Sequence, residues 1–288
     1  MKVIGIGDNV CDKYLNLKKM YPGGQALNFA AFCRMNGIEA SYMGVFGSDD
    51  VARHILNTLS AMGIDYSRSR FYDGENGYAV VDIVDGDRVF VRSNKGGMLR
   101  EHPLELTEAD LEYIRSFDVI HTSNNSYMDK ELSKLKGLVP ILSYDFSLSW
   151  KDDERLRSVA PLIDAAIMSC SGLTMEECRD LALRVHGMGT RLVLMTMGED
   201  GSMFYDGTEF YRHRPVQVKP LDTLGAGDSF TAGFLAIYAT GTLVDGIGPE
   251  DTLYNDIVVS AFETGSRMAA EVCMRYGAFG EGMDFDEA

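Results

Sequence analysis

Short β-rich runs alternate along the chain with stretches of helical spacing, and this alternation limits the fold more than any other feature. Strand patterns fall at 2–6, 42–46, 118–122, 140–144, 165–169 and 192–196. Helical patterns fall at 24–36, 49–62, 107–115, 153–160, 175–186 and from 226 onward, with Gly37 and Gly63 placed as stops. Strands joined through helices pair in parallel, because a crossover returns the chain to the same end of the sheet. The expected fold class is α/β: a three-layer α/β/α domain with a mostly parallel central sheet.

Two segments break the rhythm. Residues 202–211 look like a hairpin, and 78–93 is two β-rich runs around Asp85-Gly86, a pair suited to a type I′ turn. With a short strand at 10–17, the second hairpin is expected to form a small separate sheet, a lid over about 10–18 and 78–95. A two-residue turn sets Ile83 opposite Arg88, Val81 opposite Phe90 and Ala79 opposite Arg92, which places Arg88 and Arg92 on the face of Phe90. No linker or repeat divides the 288 residues, so 1–288 is expected to be one domain, with 280–288 a frayed acidic tail.

The net charge of −16 repels phosphate backbones and anionic lipid, which argues against nucleic-acid and membrane partners. An anionic ligand then needs a local pocket of cations or N–H donors. Five cysteines, with no C-x-x-C, suggest neither a disulfide framework nor a zinc knuckle, and point to a cytoplasmic protein. No signal peptide or membrane-length apolar run is apparent.

Asp222-Thr223-Leu224-Gly225-Ala226-Gly227-Asp228-Ser229-Phe230 is the segment richest in chemistry. Glycines allow a tight turn into a helix, and the first helical turn leaves N–H groups unpaired beside the positive end of the dipole. Such donors cradle phosphate. Asp228 sits where a carboxylate could also take a proton from an attacking hydroxyl. A G-x-G-D string alone is equally an ordinary capped helix start. A second segment, Gly23-Gly24-Gln25-Ala26-Leu27-Asn28, opens another helix, with Asn28 one turn in and able to donate to and accept from hydroxyls.

Together, and in this order, the two segments resemble the paired signatures of the phosphofructokinase-B, or ribokinase-like, family of sugar and nucleoside kinases, from Gly5 to about Phe279. The resemblance implies a ribokinase-like fold, ATP with Mg²⁺, and a small-molecule sugar substrate. It implies Asp228 as catalytic base and the N–H groups of Gly225, Ala226 and Gly227 as an anion hole. It implies Asp8, Gly24 and Asn28 as sugar contacts and Thr196, Gly198 and Gly201 as a nucleotide loop. Asp222 would serve a monovalent cation such as K⁺, and the lid would double as a homodimer surface. Two departures stand out. Ser169-Cys170-Ser171-Gly172 occupies the place of the family's N-x-x-E, and Asp145-Phe146-Ser147-Leu148-Ser149 that of its D-x-N-x-R. These departures, with Asp8-Asn9, Asp12, Asp87-Arg88-Val89-Phe90 and Tyr276-Gly277-Ala278-Phe279, resemble the fructosamine (fructoselysine) kinase branch. For such a substrate Arg88 and Arg92, two cations about Phe90, suit the carboxylate of an amino acid attached to the sugar; the alternative is that both face solvent or pair across a dimer.

Other readings carry less. Gly5-x-Gly7 begins a dinucleotide fingerprint, but Val10 stands where Gly or Ala is needed. No G-x-x-x-x-G-K-[ST] or H-R-D occurs, and the five histidines lack ligand spacing. The competing functions are a kinase for another sugar, sugar acid or nucleoside, a non-catalytic sensor on the same fold, and an oxidoreductase.

Overall fold

The computed structural model describes residues 1–84 and 87–285, without the side chains of 83, 84, 87 and 88. Its strands are β1 Lys2–Gly7, β2 Val10–Tyr14, β3 Lys19–Gly23, β4 Glu39–Phe46, β5 Arg70–Phe71, β6 Gly77–Val84, β7 Asp87–Ser93, β8 Val119–Ser123, β9 Ile141–Ser147, β10 Ala165–Ser169, β11 Leu192–Thr196, β12 Ser202–Tyr205, β13 Phe210–His213 and β14 Met283–Asp284. The helices are α1 Gln25–Met35, α2 Asp50–Met62, α3 Met98–Glu101, α4 Glu108–Ile114, α5 Leu132–Leu135, α6 Asp153–Val159, α7 Met175–Gly187, α8 Ala226–Ala239 and α9 Tyr254–Val272.

The main sheet runs β13-β12-β11-β10-β9-β8-β1-β4-β5, parallel from β11 to β5, with β12 and β13 antiparallel. Successive strand residues point to opposite faces, so each buried strand feeds two cores. Val3, Ile167 and Leu194 join one with α1, α2, α8 and α9. Ile4, Met168 and Met195 join the other with α4 to α7. The result is the three-layer arrangement. Local chemistry ends the helices, Gly63 as expected and the N-caps as a finding of the structure. Asp49 caps α2 through the Ala52 N–H, Gly63 closes it in the left-handed region, and Thr107 and Thr174 form capping boxes on α4 and α7. The helical run after 226 is two helices, separated by a π turn at Thr240–Val244 and a loop.

The small sheet runs β14-β3-β2-β6-β7. It is larger than the expected lid. Residues 19–23 add a strand whose Pro22 and Gly23 mask its sequence signal. The tail expected to fray instead pairs through Met283 and Asp284 with Met20 and Lys19, and Asp284 forms an ion pair with Lys19; residues 286–288 lie outside the described set.

The hairpin register needs a further correction. Val81 pairs with Phe90 as expected, but Val80, not Ala79, pairs with Arg92, and Ala79 pairs with Ser93. Val91 is therefore the extra residue of a β-bulge, which turns Arg92 to the face opposite Phe90. Counting back from a two-residue turn cannot foresee a bulge.

Candidate active site

The site lies beyond the C-terminal ends of the parallel strands, where such sheets place their ligands. Asp8 follows β1. Its carboxylate accepts the N–H groups of Gln25 (2.7 Å) and Ala26 (3.2 Å), two of the first-turn donors of α1, and the hydroxyls of Ser123 (2.8 Å) and Ser126 (2.7 Å). The buried Asp8 thus pins the start of α1 to the sheet. Gly24 caps that helix at φ +109°, and a Cβ there would stand 2.7 Å from the Asp8 carbonyl oxygen, so only glycine fits. One turn later, Asn28 Nδ2 donates to Asp228 Oδ2 at 2.6 Å. Asn28 Oδ1 is buried with no protein partner.

Asp228 stands in the first turn of α8, where Gly225 is the left-handed N-cap at φ +75°. The first i→i−4 bond runs from the Ser229 N–H to the Gly225 carbonyl (2.8 Å), and the Ala226 N–H turns back to Thr223 (3.3 Å). Among the described bonds the N–H groups of Gly227 and Asp228 meet no protein acceptor. Burial pushes the Asp228 carboxyl up to about 6, against the Asn28 amide, which favours the charged form; the Asp8 charge adds to the rise. Asp145, buried at the end of β9, is pushed up to about 7 by burial first and then by the Asp228 charge, against the Ser147 N–H 2.6 Å away. The site therefore gathers three carboxylates, those of Asp8, Asp145 and Asp228.

Two cavities flank α8's first turn. One, of about 530 Å³, is lined by Thr196, Gly198, Gly201, Thr223, Ala226 and Gly227. The other, of about 560 Å³, is lined by Asp8, Gly24, Asn28, Leu224 and Asp228, with the lid's Phe90 across from them. Consecutive residues Gly227 and Asp228 open onto different cavities, as transfer of a group from one ligand to another requires. The chain belongs to the pfkB family of carbohydrate kinases. The family model matches residues 10–279. The chain is 40% identical to the fructosamine kinase FrlD of Bacillus subtilis over 99% of its own length and 95% of the relative's. It is 32% identical to the fructoselysine 6-kinase of Escherichia coli over 82% of its length and 88% of that enzyme's. Its fold matches a Xylella fastidiosa fructokinase with bound ATP at a TM-score of 0.75, with 18% identity, 96% of this chain and 94% of that one covered.

In this kinase every residue expected at the nucleotide lines the first cavity, and Asp8, Gly24, Asn28 and Asp228 line the second. Gly225 serves as the cap, with its Cβ position 2.6 Å from Ala278 Cβ. Arg92 is exposed and not among the cavity residues; the Arg88 side chain lies outside the described residues. Among the described residues, the cations on the second cavity are Lys95 and Arg155. Arg155 pairs with Asp129 at 3.0 Å. Lys95 is exposed and held at φ +57°, and its carbonyl accepts the Tyr127 hydroxyl (2.8 Å). Asn94 beside it is fixed by bonds to Tyr78 and Asn76. Neither Lys95 nor Arg155 carries a motif, so the sequence does not mark them. Asp145 had a signal, its place in the departed D-x-N-x-R. Trp150 donates to the Ser169 carbonyl (2.8 Å) and so packs beside the sheet.

Asp222, expected to serve a monovalent cation, is bonded within the protein. Its Oδ1 accepts the Leu224 N–H (3.0 Å), and its Oδ2 accepts the Gly277 N–H (3.1 Å) and the Tyr14 hydroxyl. Among the described residues no group of three or more His, Cys, Asp or Glu is arranged to hold a metal ion. No helix is long and apolar enough to cross a membrane among the described residues.

Proposed function

We propose that this kinase transfers the γ-phosphoryl group of ATP to the 6-hydroxyl of a fructosamine such as fructoselysine, as a cytoplasmic enzyme. The carrying observation is the split of Gly227 and Asp228 between two cavities. ATP occupies the cavity of Thr196, Gly198 and Gly201, with its γ-phosphate against the N–H groups of Gly227 and Asp228. The sugar occupies the other. Asp228 takes the proton of the 6-hydroxyl as that oxygen attacks phosphorus and the bond to the ADP oxygen breaks. Asn28 holds one Asp228 oxygen, which leaves the other for the hydroxyl, and the unpartnered Asn28 Oδ1 suits a second sugar hydroxyl.

Mg²⁺ fits as an ion carried by the nucleotide. Ser169, Ser171 and Glu199 put oxygen donors on the ATP cavity, and Mg²⁺ keeps several waters when it binds phosphates. When bound it would offset phosphate charge. The substrate reading rests on the charges that line the sugar-side cavity. It has Asp8, Asp12 and Asp228 toward a hydroxylated or aminated portion, and Lys95 and Arg155 toward an anionic one. The homologous fructosamine and fructoselysine kinases support the same choice. Val89, Phe90 and Val91, exposed on edge strand β7, support a second copy at the lid.

An ATP-coupled assay over fructoselysine, fructose, sugar acids and nucleosides tests the proposal, with the phosphorylated position read by phosphorus–carbon coupling in NMR. Preference for fructoselysine is expected. A preference for free fructose would defeat the substrate assignment and leave the kinase assignment intact.

A further inference from the structure

We infer that Tyr14 is a positioning residue, tying the lid to the anion hole through Asp222; the inference rests on the phosphoryl-transfer reading above. Tyr14 ends β2 on the same strand face as Val10 and Asp12, which line the sugar-side cavity. It is fully buried, among Tyr21, Val81, Leu224 and Tyr276, and its hydroxyl donates to Asp222 Oδ2.

Asp222 is where the lid's position reaches the donors. Its other oxygen holds the Leu224 N–H, which sets the turn leading into Gly225. Leu224 itself faces the sugar-side cavity, and Thr223 and Gly227 face the nucleotide. A shift of β2 is therefore felt on both sides of the transfer. The C-terminal segment closes the arrangement: Gly277 donates to Asp222 Oδ2, the oxygen that Tyr14 meets, and is seated against Tyr21, and Ala278 lies beneath Gly225. A buried carboxylate that loses one of its donors leaves a lone pair unsatisfied, and the loop whose Leu224 N–H it already holds is the element its readjustment would displace. Donors preorganised for the transition state lose rate when misplaced, and a small displacement is enough.

Tyr14→Phe removes only the hydroxyl. It should lower kcat by ~10-fold or more, the scale of a hydrogen bond to a charged group, and leave KM for ATP and for sugar within about twofold. Amide exchange across 222–230 should quicken in the ligand-free variant, with α2 unchanged. That second measurement needs no substrate, so it separates failure of this inference from failure of the kinase assignment. Asp222→Asn should show the same pattern, and the double variant should be no slower than Asp222→Asn alone, because both act on one connection. If Tyr14→Phe fails to fold, Asp222→Asn still carries both measurements. Unchanged exchange at 222–230, multiplicative losses in the double variant, or a rise in KM with kcat intact would each overturn the inference.

Discussion

The loop at 222–230 and the lid hairpin at 77–93 both line the cavity of Asp8, Asn28 and Asp228, yet they are encoded differently. In the loop, one turn of backbone supplies the cap, the donors and the carboxylate, so nine consecutive residues nearly specify the geometry. In the hairpin, the residues that face the ligand are chosen by register, and a single extra residue, Val91, reverses the face of Arg92. Chemistry compressed into one helical turn is legible as a string. Recognition built on strand pairing is not, because every residue beyond a bulge changes side.

The largest expected effect lies in the loop. Asp228→Asn should cut kcat by ~10²–10⁴-fold with ATP and sugar binding nearly intact. A variant keeping more than about a tenth of wild-type kcat would remove Asp228 from the base role. The wild-type kcat/KM should rise with pH through about 6, as Asp228 loses its proton. Stability runs the other way. Burial makes the folded protein bind that proton more tightly than the unfolded chain does. The Asp228 contribution to stability is therefore lost as pH climbs from the ordinary carboxylate range through about 6. Asp228→Asn should accordingly melt above wild type at pH 8, although inactive; a lower melting temperature would contradict the burial argument.

Gly227→Val tests whether the loop's glycine serves the ligand or the fold. A Cβ at Gly227 meets no protein atom within 4 Å, so the protein should fold normally while the added side chain obstructs the phosphate. A loss of at least ~10²-fold in kcat/KM is expected, comparable to removing a transition-state donor. Full activity in a folded variant would put the cradle elsewhere.

On the lid side the effects are smaller and selective. Lys95→Ala should raise KM for fructoselysine ~10-fold, about 1.4 kcal/mol, with fructose kinetics unchanged. Equal losses on both sugars would mean that Lys95 does not read the amino-acid portion. Arg92→Ala should change either KM by no more than about twofold, as for a surface side chain away from the site. A tenfold rise there would show that the bulge does not hold in solution, and the contrast between loop and lid would collapse.

The alternation of strands and helices, the caps at Asp49, Thr107 and Thr174, and the glycine loop around Asp228 were all determined by the sequence alone. Each depends on residues within a turn or two, where propensity and hydrogen bonding act locally. Tertiary structure decided the rest. Strand β3 and the docked 283–284 segment have little β signal and exist because an unpaired sheet edge accepts them. Asp145 becomes a high-pKa carboxylate only because folding buries it near Asp228. Asp222 becomes a clasp for Tyr14, Leu224 and Gly277 because folding brings a lid strand and the C-terminal segment to one buried carboxylate. Lys95, in the turn after β7, and Arg155, on α6, meet at one cavity only after the chain has closed around it. Contacts between residues far apart in sequence are set by packing and register, and no local pattern records them.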